Sequence, residues 1–193
     1  MSHSGGSEQD SLIAHIVASE EIISSIRTVF PEATSGWVDD VLRGRQPRSE
    51  APEPKAVAPV EGAFILNTDG ACRGNPGPSG AGWVFSTSDG RVVRTGYSFL
   101  GRATNNEAEY IAVVLGLEDA LSAGIGDLLL RADSELLIKQ LKGQYRVKNA
   151  RLKPLYERVK GLAGRFQRFR CEHVRREYNR EADAEANRAI DEQ

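Results

Sequence analysis

Thr68-Asp-Gly-Ala-Cys-Arg-Gly-Asn-Pro-Gly-Pro-Ser-Gly80 is the stretch of this 193-residue chain that decides its fold. Residues 64–69 form an apolar, β-favouring run that leads into it, and residues 80–85 form a second such run that leaves it. The glycine, asparagine and proline residues between the two runs favour a tight turn. A third run, residues 91–99, follows the turn-forming residues 88–90, so the sequence predicts a three-stranded antiparallel meander.

The rest of the chain alternates between helix and strand patterns. Thr104 and Glu107 form a capping box ahead of an apolar helical stripe that Gly124 ends. Residues 127–133 have the composition of a short buried strand, and Ser134 and Gly143 bound the helix predicted after it.

A third helix follows, and Pro154 is expected in its first turns, where the missing N–H costs least. A strand over residues 166–174 and a helix opened by Asn179 complete the pattern. Three antiparallel strands followed by strand, helix, strand and helix predict an α/β fold, with helices on the faces of a mixed sheet.

The first 62 residues differ in character from the remainder. Apolar residues at helical spacing predict a helix over residues 10–30 and a short one after Ser35, so residues 1–45 are interpreted as an N-terminal helical segment. Residues 46–62 form a Pro/Ala-rich linker, and residues 63–193 form the main domain. Two helices cannot bury a core alone, so we expect them to dock on the domain, self-associate or bind another protein.

Charge is distributed unevenly along the chain. Residues 1–62 carry 5 basic and 10 acidic residues, whereas residues 139–180 carry 14 basic and 3 acidic ones. A basic block of this kind suits a polyanion, although a solvated helix face is an alternative interpretation. No apolar run approaches the roughly 18 residues needed to cross a bilayer, and no secretion signal is recognisable, so we expect no membrane contact and a cytoplasmic location.

Four carboxylates fall where an unpaired charge is costly or oddly placed. Asp69 lies inside a half-buried strand, Glu109 in the first turns of an apolar helix, Asp133 at the end of a buried strand and Asp183 at the start of the last helix. Mg²⁺ ions would balance these charges, because Mg²⁺ prefers carboxylate oxygen. Each carboxylate alone could instead cap a helix or form an ion pair.

The motifs resemble those of type 1 ribonuclease H. Thr68 to Gly80 is followed in order by Thr104-Asn-Asn-Glu-Ala-Glu109, Ala132-Asp-Ser134 and Asn179-Arg-Glu-Ala-Asp183, and the resemblance spans nearly all of residues 63–193. It implies the ribonuclease H fold, a five-stranded mixed sheet of three antiparallel and then two parallel strands flanked by helices. It also implies that Asp69, Glu109, Asp133 and Asp183 are the catalytic metal ligands. Glu107 is the rival for the second position.

The resemblance further implies an activity. A member of this family hydrolyses the RNA strand of RNA·DNA hybrids with two Mg²⁺ ions, leaving 5′-phosphate and 3′-hydroxyl ends, and we expect Mn²⁺ to support the reaction as well. A hybrid-binding module without catalysis is the alternative. A transposase or integrase fits poorly, because those proteins lack the Gly-Asn-Pro-Gly hairpin.

Residues that would contact the hybrid follow from the same resemblance. It implies that Asn75, Asn105 and Asn106 line the groove that holds the hybrid, with Thr104 and Ser134 near phosphate, and we add Gly70, Arg146 and Lys148 to this expected set. Asparagine can read 2′-hydroxyls in a wide minor groove, although turn and cap formation is its alternative role. Lys139, Lys142, Arg146 and Lys148 are expected to contact phosphates of the DNA strand. Glu135 stands where many relatives have glutamine, and this difference argues against a substrate contact there.

The chain departs from well-known bacterial members before its last helix. The loop of residues 174–179 is shorter than in those members and contains no histidine. His173 aligns with a packing position of the preceding strand. The short form resembles the archaeal-like branch of the family. The leaving group would then take its proton from water at the metal site, with Glu177 and Arg176 as weaker candidates.

Overall fold

The structure, a computed structural model, describes residues 60–193, and side chains are described from residue 63 onward. The predicted helical segment of residues 1–45 and most of the predicted linker lie outside the described residues. The first strand begins at Val60, so it extends into the stretch predicted as linker.

Five strands, four α-helices and one short 3-10 helix make up the described part of the chain. In order they are β1 (Val60–Cys72), β2 (Gly77–Thr87), β3 (Val92–Ala103), α1 (Asn105–Ser122), β4 (Ile125–Ala132), α2 (Glu135–Leu141), α3 (Leu152–Ala163), β5 (Arg168–His173), the 3-10 turn (Arg176–Tyr178) and α4 (Arg180–Asp191).

The strands form one mixed sheet in the order β3-β2-β1-β4-β5. β1 pairs antiparallel with β2, and β2 antiparallel with β3, whereas β4 runs parallel to β1 and β5 parallel to β4. The predicted fold is therefore confirmed, with three antiparallel strands followed by two parallel ones. Parallel strands need crossover connections, so α1 carries the chain from β3 at the sheet edge to β4 beside β1, and α2 and α3 carry it from β4 to β5.

Helices cover both faces of the sheet. α1 packs on β1 and β2 with α3 behind it, and its Ile111 and Leu115 are almost fully buried. α4 packs on the opposite face, where Gly82 of β2 allows close approach, because a Cβ atom there would lie 2.3 Å from the backbone nitrogen of Ala186. Burial of the apolar stripes against the sheet is the main stabilising contribution.

The predicted helix boundaries are correct in part. Gly124 and Gly143 follow α1 and α2 with φ values of 74° and 73°, a conformation that glycine adopts readily and that ends a helix. Pro154 lies in the first turn of α3, as predicted. Ser134 occupies the N-cap position of α2, but its side chain makes no capping hydrogen bond, so that prediction was wrong. The helices found within residues 60–193 all lack the length and apolar character that a membrane-spanning helix requires.

Candidate active site

Three carboxylates from distant parts of the chain meet at one point. Asp69, Glu109 and Asp133 each offer an oxygen, and these oxygens all lie within 4.8 Å of one another. The parallel register of β1 and β4 places Asn67 opposite Arg131, so Asp69 and Asp133, two residues further along, come side by side. Glu109 reaches them from the second turn of α1.

Gly70 allows α1 to lie this close to β1. A Cβ atom at this position would stand 2.2 Å from the backbone nitrogen of Glu109, so any side chain would push the helix away. Gly70 was predicted to contact substrate, and the contact that the structure gives it is with the helix. Because Gly70 follows Asp69 directly, the same close approach sets the separation of Asp69 and Glu109.

Burial and mutual repulsion raise the pKa values of Asp69 and Glu109. Asp69 is 6% exposed, and burial together with the charges of Asp133 and Asp183 raises its pKa to about 7. Glu109 is 9% exposed, and burial followed by the charges of Asp69 and Asp133 raises its pKa to about 9. Negative charges that are crowded and poorly solvated in this way are stabilised by a nearby cation.

Asp183 lies beside the cluster of Asp69, Glu109 and Asp133 but does not belong to the group whose oxygens lie within 4.8 Å of one another. Its negative charge adds to the effect of burial in raising the pKa of Asp69, and its Oδ1 lies 2.9 Å from Nη2 of Arg176. Its side chain is 31% exposed and that of Arg176 is 78% exposed. The role of Asp183 as a fourth metal ligand stays a prediction, since the arginine occupies one of its oxygens.

Glu107 is engaged elsewhere, which leaves Glu109 as the glutamate of the cluster. Oε2 of Glu107 accepts hydrogen bonds from the backbone nitrogen and Oγ1 of Thr104, at 2.7 and 2.8 Å. In return, Thr104 Oγ1 accepts a hydrogen bond from the backbone nitrogen of Glu107. The predicted capping box is therefore present. The other oxygen of Glu107 lies 2.7 Å from Nε of Arg151.

The asparagines predicted to line the groove surround the start of α1. Asn75 Oδ1 accepts a hydrogen bond from the backbone nitrogen of Asn105 at 3.2 Å, so this side chain ties the β1–β2 hairpin to the helix. Asn105 itself hydrogen-bonds to the carboxylate of Glu109. All three asparagines, Asn106 included, are exposed and remain accessible to a ligand.

The other predicted substrate residues lie on and after α2. Ser134 follows Asp133 directly and is half-buried, whereas Arg146 and Lys148 are exposed in the connection between α2 and α3. Glu135 forms an ion pair with Lys139 at 2.8 Å, and the ammonium group of Lys139 lies 5.2 Å from the ring centre of Tyr145. His173 is exposed at the end of β5, so its predicted packing position was wrong.

Asn179 is a site residue that the sequence interpretation assigned only to opening the last helix. It is 1% exposed, and its Nδ2 donates to Asp133 Oδ1 at 3.1 Å and to the carbonyl oxygen of Thr68 at 3.0 Å. Its side chain makes no capping bond in α4. The signal that could have revealed it is Asn67, an amide side chain in an apolar strand run.

Comparison with known proteins agrees with this geometry. Residues 67–189 match the family model described as reverse transcriptase-like. A crystal structure of RNase H1 from the archaeon Halobacterium salinarum is 42% identical, with a TM-score of 0.67, and the match covers 68% of this chain and 100% of that one. This chain belongs to the type 1 ribonuclease H family.

Further relatives match a similar share of the chain. The ribonuclease HI of H. salinarum is 45% identical over 123 residues, which are 64% of this chain and 62% of that protein. A bifunctional protein of Mycobacterium tuberculosis is 41% identical over 128 residues, which are 66% of this chain but 35% of that protein. The chain thus spans less than two thirds of the length of these relatives.

Proposed function

We propose that this protein is a metal-dependent endoribonuclease that hydrolyses the RNA strand of RNA·DNA hybrids and leaves 5′-phosphate and 3′-hydroxyl ends. The observation that carries the proposal is the convergence of Asp69, Glu109 and Asp133 within 4.8 Å. The relatives named ribonuclease HI support it. So does LC11-RNase H1, solved in complex with an RNA/DNA hybrid, which is 36% identical with a TM-score of 0.64, covering 67% of this chain.

The donor set of the cluster fits Mg²⁺. All three groups are carboxylates, and burial followed by repulsion from the neighbouring carboxylates raises the pKa values of Asp69 and Glu109, two effects that a bound divalent cation would oppose. We propose that these groups and Asp183 hold two Mg²⁺ ions, and that Mn²⁺ also supports activity. Two divalent ions in such a site stabilise the attacking and the leaving oxygen of an in-line phosphodiester displacement.

The surrounding side chains have separate tasks in this proposal. The exposed Asn75, Asn105 and Asn106 contact the minor groove of the hybrid, where 2′-hydroxyls distinguish RNA from DNA. Arg146 and Lys148 contact the phosphates of the DNA strand. Arg176, exposed beside the carboxylates, offers a permanent positive charge to a phosphate at the site.

Cleavage of defined duplexes tests the proposal. The full chain, in Mg²⁺ or Mn²⁺, is given end-labelled RNA·DNA hybrid, double-stranded RNA, single-stranded RNA and double-stranded DNA. We expect cutting of the hybrid, with 5′-phosphate ends, and loss of cutting in Asp69→Asn. Asp89→Asn is the matched control, because Asp89 is an exposed carboxylate in the β2–β3 turn. Hybrid binding without cutting by the wild type would support the non-catalytic alternative.

The N-terminal segment and the location of the protein are further parts of the proposal. We propose that residues 1–45 bind a protein partner, self-associate or dock on the domain and are dispensable for chemistry, and that the protein is cytoplasmic. Removing residues 1–45 should leave hybrid cleavage intact. A folded protein without residues 1–45 that no longer cuts short hybrids would contradict the statement that these residues are dispensable for chemistry.

A further inference from the structure

A chain of amide hydrogen bonds connects the middle of β1 to the carboxylate of Asp133. Asn67 lies on β1 two residues before Asp69, so the two side chains are on the same face of the strand. Its Nδ2 donates to Oδ1 of Asn179 at 3.0 Å and to the carbonyl oxygen of Tyr178 at 3.3 Å. Asn179 in turn donates to Asp133 and to the carbonyl of Thr68.

The donor at Asn67 determines which way the buried amide of Asn179 points. Because the Oδ1 of Asn179 accepts from Asn67, its NH₂ group faces the two acceptors, Asp133 Oδ1 and the carbonyl oxygen of Thr68. A reversed amide would place oxygen against oxygen at both contacts and two NH₂ groups against each other at Asn67. A buried network of this kind has one satisfied arrangement.

This single arrangement joins the two strands that carry the aspartates of the cluster. One hydrogen of the Asn179 amide fixes an oxygen of Asp133, and the other fixes the backbone at Thr68, directly before Asp69. Asn67 also holds the carbonyl of Tyr178 and so secures the 3-10 turn against β1. The backbone nitrogen of Asp183 bonds to the carbonyl oxygen of Asn179 at 3.0 Å, which ties the start of α4 to the same residue.

We propose that Asn67 is a positioning residue of the metal site, which acts through Asn179 to hold Asp133 in the orientation that binds a divalent cation. The inference rests on the proposed function only for the presence of that cation. Hydrogen bonds behind a ligating carboxylate restrict its rotation, and losing such a partner typically costs about 10- to 100-fold in metal affinity. Asn67 is one step further from the carboxylate, so its removal should cost about 3- to 10-fold, below that range.

Isothermal titration calorimetry of the full chain with Mn²⁺ alone measures the affinity for the cation, and so tests the inference without reference to catalysis. We expect Asn67→Leu to weaken Mn²⁺ binding about 3- to 10-fold and Asn179→Ala about 10- to 100-fold. In the double variant, Asn67→Leu should add nothing to the effect of Asn179→Ala, because its effect passes through that amide. In hybrid cleavage, the Mn²⁺ concentration for half-maximal rate should rise, while KM for the hybrid stays unchanged.

Two further variants separate positioning from general stability. Asn67→Thr suits a strand and lacks the amide, so it should reproduce the loss of affinity even where Asn67→Leu fails to fold. Ser122→Ala removes a side chain to backbone hydrogen bond at the end of α1, far from the cluster in sequence, and should leave Mn²⁺ affinity unchanged. Unchanged affinity in folded Asn67 variants, or losses that add fully in the double variant, would overturn the inference.

The test also distinguishes this inference from the proposed function. Mn²⁺ affinity that responds as expected in a protein that does not cut hybrid would support the positioning role and refute the nuclease. Hybrid cleavage with a normal Mn²⁺ requirement in Asn67→Leu and Asn67→Thr would leave the nuclease in place and refute the positioning role.

Discussion

Nε of Arg151 lies 2.7 Å from Oε1 of Glu107, and this ion pair joins the start of α3 to the first turn of α1. The Glu107 side chain is 2% exposed, whereas that of Arg151 is 44% exposed. The pair therefore links the connection that carries Arg146 and Lys148 to the helix that carries Glu109.

Replacing Arg151 should affect both stability and hybrid binding. Arg151→Ala leaves the buried Glu107 without its cationic partner, so we expect the free energy of unfolding to fall by about 1 to 3 kcal/mol. The connection after α2 should also lose its fixed position and raise KM for the hybrid. Urea unfolding and steady-state kinetics measure the two effects. Lys153→Ala removes an exposed cation of α3 and is the control; equal effects of both variants would contradict the prediction.

Asp69 should destabilise the metal-free protein as the pH rises. Its pKa is about 7 in the folded protein and about 3.9 in an unfolded chain, so the unfolded state loses its proton first. The contribution of Asp69 to the free energy of unfolding is therefore most favourable below pH 4, and it is lost progressively between pH 4 and pH 7. In Asp69→Asn this loss disappears, and at pH 8 with a chelator the variant should be more stable by roughly 1 to 3 kcal/mol.

Thermal unfolding of both proteins at pH 5 and pH 8 measures this difference. The expected result is a gap in Tm between Asp69→Asn and the wild type that is larger at pH 8. A gap that is equal at both pH values, or larger at pH 5, would show that Asp69 is not held in its protonated form by the cluster.

Arg176 should matter for activity and little for folding. Its ion pair with Asp183 is exposed on the arginine side, and such pairs contribute about 0 to 1 kcal/mol. We expect Arg176→Ala to leave Tm nearly unchanged and to lower kcat/KM about tenfold or more, because a charge beside the reacting phosphate is lost. Arg175→Ala is the matched control. Arg175 is the neighbouring arginine, but it pairs with Glu177, at 3.7 Å, and not with Asp183. Equal losses in both variants would indicate general electrostatic attraction.

Salt dependence should report the phosphate contacts of the connection after α2. Arg146→Ala and Lys148→Ala each remove one exposed cation, so each should reduce the slope of log affinity against log salt concentration by about 1. Filter binding of a hybrid to Asp69→Asn protein across a salt series measures this without cleavage. An unchanged slope would place the DNA strand elsewhere on the surface.

Local sequence was sufficient to predict the elements of the domain. The hairpin after Asp69, the capping box at Thr104 and the glycine stops at Gly124 and Gly143 are formed by neighbouring residues, so each is encoded within a few positions. The structure places Glu109, and not Glu107, in the carboxylate cluster, while its role as a metal ligand stays a prediction. The choice of Glu109 depended on the resemblance, because spacing alone left both glutamates available.

Contacts between distant residues could not be predicted in the same way. Asn67 and Asn179 are 112 positions apart, and Glu107 and Arg151 are joined only when α3 returns to α1. The expected capping role of Ser134 was wrong because the tendency of a residue to cap does not determine where its hydroxyl points.

The sequence by itself determined the order of strands and helices and the family, because periodicity, turn residues and motifs are properties of short stretches. The four carboxylates that it marks as metal ligands stay a prediction. Only the tertiary structure decided that Asp69, Glu109 and Asp133 share one point, that Asp183 faces Arg176 and that Asn179 holds Asp133. The physical reason is that such distances depend on the register of parallel strands and on the close approach of α1 to β1 at Gly70, which are set only when the whole sheet and its helices pack together.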